Sequence, residues 1–507
     1  MTCAGGAPPA RRRPAILLAM VAVGYVAVQL ILVDPRMVLS MDEAVYASQF
    51  STVLPRIEIA PHRSLGEALL VAPVTVVTAS PVAIRGYLTA LSGALLFLAF
   101  WPWLNLRPAW VGWRSSNQHW VTPVAATLYA TGWVALFYGG AVLPNAPTAM
   151  CAVAVTGLFL RVATRSAGRG RLATGGLFTA VAGLTLLRPT DAVWIVSPVL
   201  VAALVKRSWR SLAALAAMAG GLVVGWVEWA IEAYLRFGGP LARLKQVNEA
   251  AGGDGPYFLL VRQLQAVGGR VACSPDQAGC GPIRPSAVLL WAGGLLLVGC
   301  GVYSVRRASR GSVVLLVVVQ AGAIAMPYLI LTDWAVPRYL LPVYALLSLP
   351  AAAGLIWIAG QARVSTPSMV RAGCAGLGLL AHVGLQLDTA RRIGDGSAVN
   401  RSVNLDMARE LTRLDVGRPC VILGGQAPEV AYLSRCRAYD IPEGIEPRSP
   451  AVTQREIRAL LQRGTRVVVL AETSTRLPTV IDSSWTVFQI NGDPRRVFVS
   501  PRRPVPR

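Results

Sequence analysis

The sequence predicts a polytopic α-helical membrane protein of about 11 transmembrane helices, followed by a small extracytoplasmic α/β domain. Three observations predict it. Of the 507 residues, 54% are hydrophobic and only 14% charged, against roughly 25% in soluble domains, and the mean hydropathy is +0.52. Apolar runs of about 17–25 residues, long enough to cross a bilayer, recur as far as residue 390. Beyond it the chain turns polar, and its apolar residues form short strand and helix patterns.

The first run, residues 14–33, follows Arg11–Arg13 and has the basic flank and apolar body of a signal peptide. Its core of about 20 residues is long enough to span, and no A-x-A-like site follows, so it reads as a retained helix. Further spans are expected at 83–104, 120–138, 142–160, 172–189, 191–205, 211–232, 286–305, 311–332, 339–359 and 372–390. With the N-terminus cytoplasmic, the inside segments are Arg11–Arg13, Arg107 and Arg114, 161–171, 206–210, 306–310 and 363–371, all basic and free of carboxylates. Asp34, Asp42, Glu43, Glu58, Glu67, Asp191, Glu249, Asp254, Asp276 and Asp333 all fall outside or at the outer edge. The positive-inside rule is satisfied at every inner loop, which predicts a multi-pass plasma-membrane protein with its C-terminal domain extracytoplasmic. The division is 1–390 for the membrane module, with an outer loop at 34–82, and 391–507 for the α/β domain.

A net charge of +23 could suggest nucleic acid as a partner. The basic residues instead lie in short Arg clusters between apolar runs, without an aromatic-interleaved stripe, so nucleic-acid binding is excluded. The partners expected are the bilayer and what it carries.

In the tail, "PCVILGG" reads as a buried strand, "PEVAYLSRC" as a helix, "TQREIRALLQRG" as an amphipathic helix, "TRVVVLAE" as a second strand, and "WTVFQI" with "RRVFVSP" as a hairpin. No catalytic motif appears there, so support or acceptor recognition is its expected role. Eight cysteines divide by side. Cys420 with Cys436 in the tail, and Cys273 with Cys280 in an outer loop, are expected as disulfides in an oxidising compartment. Cys3, Cys151, Cys300 and Cys374 read as cytoplasmic or intramembrane thiols.

Polar groups at the membrane edge are costly and therefore functional candidates. Asp42 and Glu43 head the list, in "LSMDEAVYASQF" just beyond the first span. Tyr46 falls one helical turn after Asp42, so the segment can start a helix with both on one face. The outer run "PHRSLGEALLVAPVTVV" is apolar and about half a bilayer long, suited to a helix lying along the outer surface, and Arg85 opens the next span. Glu228 and Glu232 lie one turn apart and could line a cavity or pair with Arg236.

This pattern resembles the GT-C superfamily of membrane glycosyltransferases, in the bacterial branch related to protein mannosyltransferases and aminoarabinose transferases. Asp42, Glu43 and Tyr46 match the family's first outer motif; His62 with Leu65 matches its His-Pro-Pro-Leu element, without the two prolines; and Arg85 matches the Arg that heads the following span. Further matches are Pro144 and Asn145 in "VLPNAP", Arg188, Pro189 and Asp191 in "LLRPTD", and Arg338, Tyr339 and Pro342 in "PRYLLPVYALLSLP". The likeness covers about residues 14–390, and the Ala, Arg and Gly bias with scarce Lys suits an actinobacterial-type member.

The resemblance implies transfer of a sugar, with inversion, from a polyprenyl-phosphate donor to an extracytoplasmic glycan, lipid or protein. The residue types fit that chemistry. A phosphate leaves as an anion with little need of a protein acid, whereas glycoside hydrolysis needs two carboxylates. Transfer needs one base for the acceptor hydroxyl, assigned to Asp42, and a cationic clamp, assigned to Arg85, Arg188 and Arg338, whose forks match phosphate oxygens. Glu43 would orient the acceptor or help hold a divalent cation such as Mg or Mn. Tyr46, His62, Asn145, Asp191 and Tyr339 complete the expected substrate-binding set. The alternative is a multi-spanning transporter or lipid flippase, which should show an internal repeat with polar breaks at mid-membrane. No such repeat is visible. The sequence also lacks a Walker-type loop and an H-E-x-x-H motif, and with three His it excludes ATP hydrolysis and His-based zinc catalysis.

Overall fold

Backbone groups in lipid must be satisfied internally, as in helices or closed barrels, and the long apolar runs of this chain are helical apart from a break at Gly132. In the computed structural model, residues 9–104, 106, 120–164, 170–250, 256–273, 280–307, 311–361, 366–438, 450–472, 477 and 479–501 are described. The helices, in chain order, are α1 Pro9–Leu32, α2 Met41–Ser48, α3 Gly66–Thr75, α4 Pro81–Leu104, α5 Val121–Ala130, α6 Trp133–Gly139, α7 Asn145–Ala163, α8 Gly170–Leu187, α9 Pro189–Val205, α10 Leu212–Arg236, α11 Pro240–Ala250, α12 Leu260–Val267, α13 Pro285–Arg307, α14 Ser312–Met326, α15 Leu341–Gln361 and α16 Thr366–Arg413. Helices α17 Ala427–Ser434 and α18 Pro450–Gln462 lie in the C-terminal unit.

Among the described residues, eight helices are long and apolar enough to cross a membrane, or nine if α5 and α6 form one broken span. Of the other two expected spans, 191–205 falls on α9, which has 17 residues, and 372–390 falls within α16. The expected span at 120–138 is broken: α5 and α6 meet at 72°. The break is at Gly132, whose backbone is extended, and α6 is buried along its whole length. It is pinned there by the indole N–H of Trp133 to Val267 O at 2.8 Å and by the Tyr25 hydroxyl to Ala135 O at 2.7 Å. The break brings Phe137 and Tyr138 to the cavity that Asp42 and Glu43 also line.

Small residues let the spans approach closely, as is usual where lipid rather than water surrounds them. Helices α13 and α15 cross at Gly301 and Gly354. A Cβ on either would lie 2.0 Å from a backbone oxygen of the other helix, Pro350 O or Leu297 O.

The C-terminal unit holds a five-stranded sheet: β1 Cys420–Gly424, β2 Arg437–Ala438, β3 Arg466–Glu472, β4 Thr486–Gln489 and β5 Arg495–Val499, in the order β2-β1-β3-β5-β4. β1 is parallel to β2 and β3, while β5 is antiparallel to β3 and β4. Residues along a strand alternate between faces. Val421, Leu423, Val467 and Val469 pack with Ile457 of α18, whereas Ile422, Val468 and Leu470 join the main core. The unit does not begin at 391: α16 runs unbroken through that point for 48 residues. Its polar half packs against α17, with Asn404 donating to Glu429.

The C-terminal unit grips the outer loop 34–82. Arg401 and Arg418 donate to Val38 O and Val53 O, both at 3.0 Å, the Tyr432 hydroxyl donates to Ala79 O at 3.1 Å, and Met41 N–H donates to Glu429 at 2.8 Å. The loop and the unit therefore share one face of the bundle. Cys420 and Cys436 form a disulfide that ties β1 to the end of α17. The expected Cys273–Cys280 bridge is not present. Neither cysteine is disulfide-bonded; both are buried with Leu259, Ala266 and Ala335.

Candidate active site

The site is built on the first turn of α2. Ser40 caps the helix and Glu43, three residues on, returns its carboxylate to the Ser40 N–H at 2.8 Å, a capping box. Asp42 and Glu43 thus both occupy the first turn, where the helix dipole favours negative charge. They face different partners.

Asp42 lies between two guanidinium groups. Arg63 Nη2 reaches Oδ1 at 2.6 Å, and Arg338 Nη2 reaches Oδ2 at 2.7 Å. Burial opposes ionisation of Asp42, but the charges of Arg63 and Arg338 outweigh it and hold the carboxyl well below the usual carboxylate range. Its side chain is 25% exposed, into a pocket of about 230 Å³. Arg85, Tyr138, Arg338, Arg401, Gln426 and Glu429 also line that pocket. Arg338 retains a buried Nε without a hydrogen-bond partner, so its fork is only part used.

Glu43 is fully engaged. Oε1 accepts from Arg85 Nη1 at 3.0 Å and from Val142 N at 3.2 Å; Oε2 accepts from Arg401 Nη1 at 2.9 Å as well as from Ser40. Although burial opposes it, Arg85 and Arg401 push its pKa down to about 2. Arg85 is anchored in turn on Met37 O at 3.0 Å. With no acceptor atom to spare, Glu43 ties α2, α4 and α16 together.

The other expected residues divide into groups. Arg338 and Arg85 line the pocket with Asp42. Tyr46 is buried on α2. His62 is exposed on the loop beside Arg63. Arg188, Asp191 and Tyr339 form a neighbouring network: Arg188 Nε pairs with Asp191 at 2.7 Å, its Nη2 donates to the Tyr328 hydroxyl at 2.7 Å, and the Tyr328 hydroxyl donates to Asp191. The Arg188 guanidinium also lies over the rings of Tyr328 and Tyr339, which stack with centroids 4.9 Å apart. Asn145 is buried at the start of α7, apart from the pocket lining. Glu232 pairs with Arg236 and Arg243, outside the pocket.

Sequence reasoning missed Arg63, Arg243, Arg401 and the C-terminal Gln426 and Glu429. Arg63 adjoins His62, which had been singled out, and Ser40-Met41-Asp42-Glu43 carries a legible capping-box signature. Arg243 has no such signal. Fully buried on α11, it donates to Pro61 O at 3.0 Å, Arg63 O at 2.8 Å and Trp229 O at 3.1 Å, pairs with Glu232 at 2.9 Å, and lies over the Trp229 and Phe237 rings.

For a divalent cation the donor set does not fit. Asp42 and Glu43 already carry guanidinium partners, and among the described residues no group of three or more His, Cys, Asp or Glu could hold a metal.

No protein-family model matches the chain, and no curated protein matches it. Solved structures do. ArnT from Cupriavidus metallidurans, bound to undecaprenyl phosphate, superposes with a TM-score of 0.62 at 14% identity, over 96% of this chain and 97% of that one. The Archaeoglobus fulgidus oligosaccharyltransferase AglB, in complex with an inhibitory peptide and a dolichol-phosphate, gives 0.54 at 13%, over 89% and 69%; the same protein was also solved with Zn and sulfate. The mycobacterial arabinofuranosyltransferase AftD gives 0.54 at 15%, over 96% of this chain and 40% of that one. Nearly the whole chain follows the ArnT structure, and the fold is the one shared by these three solved structures.

Proposed function

We propose that this chain transfers a sugar from a polyprenyl-phosphate donor to a hydroxyl of an extracytoplasmic glycan, lipid or protein, with inversion at the anomeric carbon. The observation that carries this reading is the pocket lined by the carboxylates of Asp42, Glu43 and Glu429 and the guanidinium groups of Arg85, Arg338 and Arg401, in which Asp42 pairs with Arg338 while Arg85 and Arg401 hold Glu43. Structures of the same fold bound to undecaprenyl phosphate and dolichol-phosphate support the donor class.

In the reaction the acceptor oxygen attacks the anomeric carbon, the bond from that carbon to the phosphate oxygen breaks, polyprenyl phosphate leaves with the electron pair, and the acceptor proton passes to Asp42. Held by two guanidinium groups, Asp42 is a weak base. Arg338, drawn off by the donor phosphate, restores its basicity, so donor binding precedes proton abstraction. Arg338 and Arg401 stabilise the departing phosphate, where charge develops.

Arg338→Ala tests the clamp in full-chain protein in lipid vesicles with an undecaprenyl-phosphate-linked sugar. Losing a charge-assisted contact of about 1.5–3 kcal/mol should raise KM for the donor roughly ten-fold or more. Unchanged donor affinity would remove Arg338 from the phosphate site.

A further inference from the structure

The C-terminal unit does more than cover the pocket, because one of its residues, Gln426, lines the same cavity as Asp42 and Arg338. Gln426 sits in the turn between β1 and α17, with φ +58° and ψ +19°. This left-handed conformation is uncommon for a residue other than glycine and is not one that Gln favours. The turn already spends glycines at the two preceding positions. Gly424 is obligatory, since a Cβ there would meet Leu470 O at 2.0 Å, while Gly425 has open space around it. At 426, where glycine would remove the strain, the chain places a long amide instead.

That side chain is exposed and makes no hydrogen bond among the described residues. Its neighbours on the wall are committed: Glu429 accepts from Met41 N–H and Asn404, and Arg401 holds Glu43. Gln426 is thus the polar group on this wall with both donor and acceptor capacity to spare. An amide both donates and accepts, which suits a pair of sugar hydroxyls, and being neutral it does not compete with the arginines for phosphate.

We infer that Gln426 is a substrate-reading residue, bonding hydroxyl groups of the sugar or glycan ligand from the C-terminal side of the pocket, and that its backbone strain is retained for that purpose. The inference rests on the transferase reading. Replacing Gln426 separates strain from contact. Gln426→Gly relieves the backbone and removes the amide; Gln426→Asn tolerates the conformation and keeps a shorter amide.

The experiment uses full-chain protein in lipid vesicles with undecaprenyl-phosphate-linked pentose and hexose, measuring donor consumption and thermal unfolding. The Gly variant should melt about 1–2 °C higher than wild type, yet lose about ten-fold or more in kcat/KM. The Asn variant should fall between the two in kcat/KM. A Gly variant that is more stable and fully active would overturn the inference while leaving the transferase reading intact. Wild-type protein that consumes neither donor would remove that reading, and the inference with it.

Discussion

Asp42 and Glu43 are neighbours with opposite employment. Asp42 reaches the pocket and has partners that a phosphate could draw away; Glu43 is buried under Arg85, Arg401 and two backbone N–H groups. Nothing in "MDEA" distinguishes them, because the difference lies in what α4 and α16 bring from 42 and 358 residues further along. A third carboxyl, Glu67 on α3, is 1% exposed and has no partner for either oxygen. Burial, together with the nearby Glu43 charge, pushes its pKa up to about 8. The folded protein therefore holds a proton that the unfolded chain releases near the ordinary carboxylate value. Its contribution to stability is complete below that value and is lost as pH rises through about 8. The melting temperature should fall between roughly pH 5 and 9, and Glu67→Gln should flatten that slope; an identical slope in the variant would show that Glu67 does not carry it.

At the scale of elements, the first turn of α2 and the loop beside it are held from both sides. α16 and α17 grip α2 through Arg401 and Glu429, and α11 grips the 61–63 backbone through Arg243. Arg63, which carries one oxygen of Asp42, is thereby placed by a helix 180 residues away. Arg243→Lys keeps a charge for Glu232 but loses the fork that spans Pro61 O and Arg63 O. It should speed amide hydrogen exchange at residues 60–64 and lower kcat by about ten-fold with donor KM little changed. A variant with normal exchange there would show that the loop does not depend on Arg243. These couplings explain what the sequence could disclose. The long apolar helices, the strands "CVIL" and "RVVVL" and the Asp42 and Arg338 motifs are local signals. The break at Gly132, the two-residue strand Arg437–Ala438, and the partners Arg63, Arg243 and Arg401 are tertiary, set by packing that no periodicity records.

Over the whole molecule, basic clusters and carboxylates alternate along the sequence, and the C-terminal unit closes on loop 34–82. A reporter after Arg507 should be extracytoplasmic and one near Gly168 cytoplasmic; a cytoplasmic C-terminus would move the site to the wrong side for an extracytoplasmic acceptor. Fold, pocket and side then meet in one claim, that Asp42 is the base for sugar transfer from a lipid phosphate. The direct test is Asp42→Asn, nearly isosteric, in full-chain protein supplied with an undecaprenyl-phosphate-linked sugar that wild type consumes. General base catalysis contributes typically 10²–10⁴-fold, so turnover should fall by at least about 10²-fold while undecaprenyl phosphate still binds; wild-type turnover in the Asn variant would contradict the account.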